Sequence, residues 1–96
     1  GDIVCRYGGE EFLLVLPNTP VDYAFQIAER LRRDFENTEI EYAGFHVKAM
    51  TSCGISEFPS HGATEEKALA AADMALYAAK ELGRNRVVIW TEISAR

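Results

Sequence analysis

Apolar residues in this chain follow two different rhythms. Ile3 to Arg6 and Phe12 to Leu16 are short apolar runs flanking Gly8-Gly9, which predicts two strands joined by a tight turn. Thr19 is placed to cap a helix with Pro20 at its first position, and Ala24, Ile27, Ala28, Leu31 and Phe35 then recur at helical spacing. Arg30, Arg32, Arg33 and Asp34 fall mostly on the opposite face, toward solvent or a partner. From Val47 to Phe58 apolar and polar residues roughly alternate, which predicts one half-buried strand ended by Pro59-Ser60-His61-Gly62. Thr64 is the expected cap of a second helix with a buried stripe of Leu69, Ala72, Leu76 and Ala79, stopped by Gly83 after Leu82. Val87 to Trp90 reads as a last short strand. Hairpin, helix, strand, helix, strand implies an α/β or α+β sheet with helices packed on it.

Ninety-six residues with 48% apolar content support one modest core and argue against a disordered tail. No run approaches the about 18 apolar residues of a membrane span, so no membrane segment is expected in this chain. The chain opens on Gly1 and enters a strand almost at once, and is read as a fragment. Cys5 and Cys53 have no second ligand at metal-binding spacing and read as small buried hydrophobes of a reducing, cytoplasmic protein. Ten Lys and Arg against 15 Asp and Glu give a net charge of −5 without a basic tract, which disfavours nucleic acid as a partner. A phosphate ligand would need that charge offset.

The chemistry concentrates in Arg6-Tyr7-Gly8-Gly9-Glu10-Glu11-Phe12. Two glycines permit positive φ and a close approach of backbone to ligand, and two adjacent carboxylates follow. Their mutual repulsion, about 1 kcal/mol at 4 Å in water and more when partly buried, would be relieved by a divalent cation such as Mg²⁺. From physics alone the segment is either such a site or a Gly-Gly hairpin with two solvated glutamates.

Gly8-Gly9-Glu10-Glu11-Phe12 resembles the GG(D/E)EF signature of diguanylate cyclases, with Cys5-Arg6-Tyr7 and Leu13 to Pro17 similar to the strands around it. Ala72-Asp73-Met74-Ala75-Leu76-Tyr77-Ala78-Ala79-Lys80 and Gly83-Arg84-Asn85-Arg86-Val87 resemble the last helix of that family and the turn after it. Thr51-Ser52-Cys53-Gly54-Ile55-Ser56 resembles a strand between them, in looser form. The likeness runs in order from Gly1 to about Trp90, so the chain is read as the C-terminal portion, residues 1–96, of a single GGDEF domain.

The resemblance implies an α+β sandwich of the palm, ferredoxin-like nucleotidyl cyclase type, mainly antiparallel, lacking its first strand and first helices. It also implies condensation of two GTP into cyclic di-GMP by a homodimer with Mg²⁺ or Mn²⁺, usually under an upstream sensory or receiver domain. Carried over, Glu10 is a metal ligand and the base for the attacking 3′-hydroxyl, Glu11 supports the metal, and Gly8 and Gly9 underlie the substrate. Lys80 and Arg84 resemble a phosphate-binding pair, though as cations near a helix C-terminus they would also suit its dipole. Asp2 matches the last position of an RxxD product-inhibitory site whose Arg would precede Gly1. Arg30 resembles an arginine that binds product from a neighbouring domain, or is simply solvated.

A further metal-binding Asp and the guanine-reading Asn and Asp are expected outside this chain, which predicts an inactive fragment and partial exposure of Phe12 to Leu16. The competing reading is a degenerate domain that binds GTP or cyclic di-GMP and regulates without catalysis. Asp73 reads as structural, His46 and His61 as surface or turn residues, and Tyr77 and Trp90 as packing in the core or over its edge.

Overall fold

The structure, a computed structural model, describes residues 1–8, 12–48 and 50–91. Its elements are β1 (Asp2–Gly8), β2 (Phe12–Leu16), α1 (Val21–Glu36), β3 (Glu39–Tyr42), β4 (Phe45–Lys48), β5 (Ser52–Phe58), α2 (Glu65–Glu81) and β6 (Val87–Ile89). Strands order as β2-β1-β5-β6, antiparallel except for the parallel β5/β6 pair. This is the mainly antiparallel α+β sheet that the resemblance implies.

Strand alternation divides the chemistry between two faces. Ile3, Cys5 and Tyr7 of β1 join Cys53 and Ile55 of β5 in a core closed by Ala24 and Ala28 of α1. Tyr7 lies wholly buried and donates its hydroxyl to the Ala28 carbonyl at 3.3 Å. The opposite parity, Arg6, Gly8, Gly54 and Ser56, faces α2. The buried face of α2 is almost all alanine: Ala68, Ala71, Ala72, Ala75, Leu76 and Ala79. Small side chains on both partners bring helix backbone onto sheet backbone. Gly54 lies directly against the Ala72 carbonyl and the Leu76 amide, and the Ser56 hydroxyl donates to the Ala68 carbonyl.

Thr64 caps α2 as expected, accepting the Lys67 N–H at 3.1 Å. At the other end the Gly83 and Arg84 amides bond the Lys80 and Ala79 carbonyls, with Gly83 at φ +118°, which closes a Schellman motif. Arg84 and Asn85 then also take positive φ, +65° and +50°. Side chains elsewhere hold this strained turn. The Asn85 N–H donates to Ser52 Oγ at 3.0 Å, and Arg32 of α1 donates to Asn85 Oδ1 at 3.0 Å.

Several expectations need correction. Thr19 does not cap α1: Pro20 occupies the cap position in an extended conformation and the Thr19 hydroxyl turns back to the Pro17 carbonyl. Phe35 is 36% exposed, so the buried stripe of α1 is centred on Ala24 and Ala28. Arg32 faces partners rather than solvent, forking between Glu29 at 2.6 Å, Glu36 at 2.8 Å and Asn85. The single strand read over Val47 to Phe58 is two. Phe45–Lys48 pairs with Glu39–Tyr42 in a separate ribbon, and the main-sheet strand starts at Ser52. That ribbon escaped notice because its two-residue turn is Ala43-Gly44, both at positive φ, where the usual signal is Asn-Gly or Asp-Gly. Trp90 lies just past the last strand.

Two outcomes follow for stability. Gly54→Ala places a methyl against helix backbone, which has no rotamer to escape into. The variant is expected to lose about 3 kcal/mol or more, read as a fall of at least about 10 °C in melting temperature. A melting temperature within about 2 °C of the parent would overturn the contact. Arg32→Ala breaks the link between α1 and the Arg84 turn and should cost about 1–2 kcal/mol in thermal denaturation. The hydrogen bond from Arg32 holds the folded Glu29 carboxyl below its ordinary value of 4.5. Its contribution is therefore complete above the ordinary carboxylate range and drains away as pH falls through the lower folded value. The destabilisation by Arg32→Ala should accordingly shrink on acidification, and a pH-independent difference would refute the Arg32–Glu29 pair.

Candidate active site

The β1/β2 ladder runs as far as Tyr7 opposite Phe12, so the signature segment connects two neighbouring strands at one end of the sheet. Gly8 lies at that end, buried and paired with Ser52, while Gly9, Glu10 and Glu11 lie outside the described residues. The buried Thr51 hydroxyl fixes the Gly8 carbonyl at 3.0 Å. A Cβ added to Gly8 would meet Lys80 Cε at 2.9 Å and both Leu76 methyls at 3.1 Å. The stem of Lys80 thus lies over the backbone that leads into the signature segment, and any larger residue here would have to displace it.

The Arg84 turn reaches the same end of the sheet, because Asn85 is bonded to Ser52 and Ser52 is the partner of Gly8. Arg84 itself is exposed, with its carbonyl accepting from Arg86 Nε at 3.2 Å. Left-handed backbone at a non-glycine residue costs about 1–2 kcal/mol, and the bonds from Ser52 and Arg32 hold it there. Of the residues singled out in the sequence, Gly8, Lys80 and Arg84 therefore gather at one end, beside the connection that carries Glu10 and Glu11.

Two residues given no site role in the sequence reading also lie here. Arg6, Asp73, Leu76, Tyr77 and Lys80 line a cavity of about 230 Å³, and Arg6 Nε sits 3.4 Å from Asp73 Oδ1. Periodicity carried the signal: Arg6 shares a strand face with Gly8, and Asp73 lies two helical turns before Lys80. Tyr77 does not pack in the core but is 65% exposed over this rim.

Asp2 and Arg30 are not brought together. Asp2 accepts the Asn18 N–H at 3.2 Å beside a groove with Val4, Leu13, Val15 and Phe58, whereas Arg30 lies on α1 with Phe25, Glu29 and Arg33. Leu13 and Val15, on edge strand β2, are 45% and 51% exposed, as expected for that run. His46 is an exposed partner of Glu39 at 3.0 Å, and His61 accepts the Glu57 N–H in a turn, matching their bland readings. Cys5 and Cys53 are buried free thiols. Contact with Cys5 and burial push the Cys53 thiol up, and burial does the same to the Tyr7 hydroxyl, so neither serves as a nucleophile at neutral pH. Among the described residues no group of three or more His, Cys, Asp or Glu could hold a metal, and no helix is long and apolar enough to cross a membrane.

Residues 1–86 match the family model described as diguanylate cyclase, GGDEF domain. Diguanylate cyclase A of Treponema denticola is 39% identical over 88 residues, which are 92% of this chain and 24% of that protein. The solved GGDEF domain of DgcB from Caulobacter crescentus, in complex with c-di-GMP, superposes with a TM-score of 0.76 at 27% identity, covering 90% of this chain and 52% of that one. The active GGEEF domain of a diguanylate cyclase from Vibrio cholerae gives a TM-score of 0.74 at 37% identity over 90% of this chain and 55% of its own. The chain spans about a quarter of the curated relative and about half of each solved domain. With the signature segment, the gathered Gly8, Lys80 and Arg84, and a family match over most of its length, the chain belongs to the GGDEF family of diguanylate cyclases.

Proposed function

We propose that this chain forms part of a domain that condenses two GTP into cyclic di-GMP, working as a homodimer that presents one GTP from each of two facing domains. The observation that carries this reading is the seat of Lys80 over Gly8, at the entrance to the turn bearing Glu10 and Glu11. In each half-reaction a 3′-hydroxyl oxygen attacks the α-phosphorus of the other GTP, the bond to pyrophosphate breaks, and the hydroxyl proton passes to Glu10. Gly8 and Gly9 let backbone lie under ribose and phosphates, while Lys80 and Arg84 neutralise phosphate charge.

Glu10 and Glu11 fit a divalent cation by the chemistry of the donor set, since adjacent carboxylates are hard oxygen donors suited to Mg²⁺ or Mn²⁺. Such an ion, when bound, supplies positive charge to the triphosphate and the developing oxyanion. A chain of net charge −5 gains most from that supply. Asp2 and Arg30 are assigned to product binding, in separate places on the chain. The reaction belongs in the cytoplasm, where GTP is made, under control of a sensory or receiver domain.

Glu10→Gln in the full-length protein is expected to reduce cyclic di-GMP formation by several orders of magnitude, measured by chromatography with GTP and Mg²⁺. Product at more than about a tenth of the parent rate would reject the assignment. In the same assay residues 1–96 alone should make none, since positioning supplies about 7–11 kcal/mol of such barriers and the guanine-reading groups are placed elsewhere. Lys80→Ala with Arg84→Ala should weaken GTP binding at least about tenfold while the melting temperature holds; unchanged affinity would return both cations to the helix dipole.

A further inference from the structure

Helix α2 touches the sheet most closely at Gly54, where backbone meets backbone. The Ser56 bond to the Ala68 carbonyl and the packing of Ala75 and Ala79 on Val88 hold the helix on either side of that contact. The residue paired with Gly54 on the neighbouring strand is Arg6, and Arg6 meets Asp73 of the same helix. A further point of attachment thus lies one strand over, on the strand that ends in Gly8. Asp73, Leu76, Tyr77 and Lys80 share one helix face, and Arg6 and Gly8 share one strand face, so the Arg6–Asp73 and Gly8–Lys80 contacts are successive crossings of the same two elements.

We infer that Arg6 and Asp73 are positioning residues that settle the last turns of α2 against the end of β1 and so hold Lys80 over Gly8. Lys80 is seven residues beyond Asp73, about 10.5 Å along the axis. Arg6 and Lys80 are two cations on one small cavity, and the Asp73 carboxylate lies 3.4 Å from Arg6 Nε. An ion pair whose carboxylate is 52% exposed contributes little to folding stability. Its effect on turnover should therefore exceed its effect on melting.

This inference rests on the reading of Lys80 as a phosphate-binding group, and a double-mutant cycle in the full-length protein separates the two. Asp73→Ala and Arg6→Ala are each expected to lower kcat/KM for GTP about 3- to 5-fold, with melting temperatures within about 3 °C of the parent. Added to Lys80→Ala, Asp73→Ala should cost less than about twofold more, because the group it positions is gone. Arg6→Lys, which keeps the charge, should recover part of the loss of Arg6→Ala. Losses that multiply independently, or that track a matching fall in melting temperature, would overturn the inference. A parent that binds GTP yet makes no cyclic di-GMP would sink the cyclase reading alone. The same cycle run on GTP affinity by calorimetry would then decide this one, and a parent that binds no GTP overturns both.

Discussion

The contact of α2 with β5 is the constraint on which the rest of this structure depends. Alanine along the helix and Gly54 and Ser56 on the strand allow a backbone approach that no larger pair would permit. Little apolar area is buried per residue at such a contact, so its stability comes from close packing and from the bond between Ser56 and the Ala68 carbonyl. Precision is what it contributes. A helix lying this near the sheet delivers its C-terminal turn, with Lys80 and then Arg84, to the end of β1 where the signature segment begins.

The two faces of the sheet divide the work. The face toward α1 is apolar, sealed around Tyr7, Cys5, Cys53 and Ile55, with the Tyr7 hydroxyl held neutral by burial and the Cys53 thiol by its contact with Cys5 and by burial. The face toward α2 carries the charged and backbone-accessible positions, Arg6 and Gly8. Strand parity alone keeps them apart, so the chain builds a dry core and a charged end from alternate residues of one strand.

Arg32 links these halves. From α1 it reaches Glu29, Glu36 and, across the chain, Asn85, which also holds Ser52. The positive-φ turn at Arg84 is thereby determined by both helices and by the strand opposite Gly8. Strain is stable only where surrounding bonds over-determine it, and here they do so beside the proposed phosphate site.

Local pattern was enough for much of this. The pairing of the two apolar runs, the Thr64 cap, the Gly83 stop and the burial of Ala72, Leu76 and Ala79 on α2 depend on neighbours within a few residues, and all were legible. So was the family, through residues grouped in short segments. The β3/β4 ribbon was hidden because Ala43-Gly44 is an uncommon way to make its turn, and the start of α1 because Pro20 displaced the expected cap. Arg32 read as facing solvent or a partner, and which partner was hidden because Asn85 lies 53 positions away. The meeting of Arg6 with Asp73, and of Gly8 with Lys80, was likewise beyond local pattern. Sequence by itself determined most of the residues that share a face of β1, β2 and α2, since periodicity is a property of the backbone. Which faces meet, and at what distance, was decided only by the tertiary structure, because it depends on packing between segments far apart in the chain.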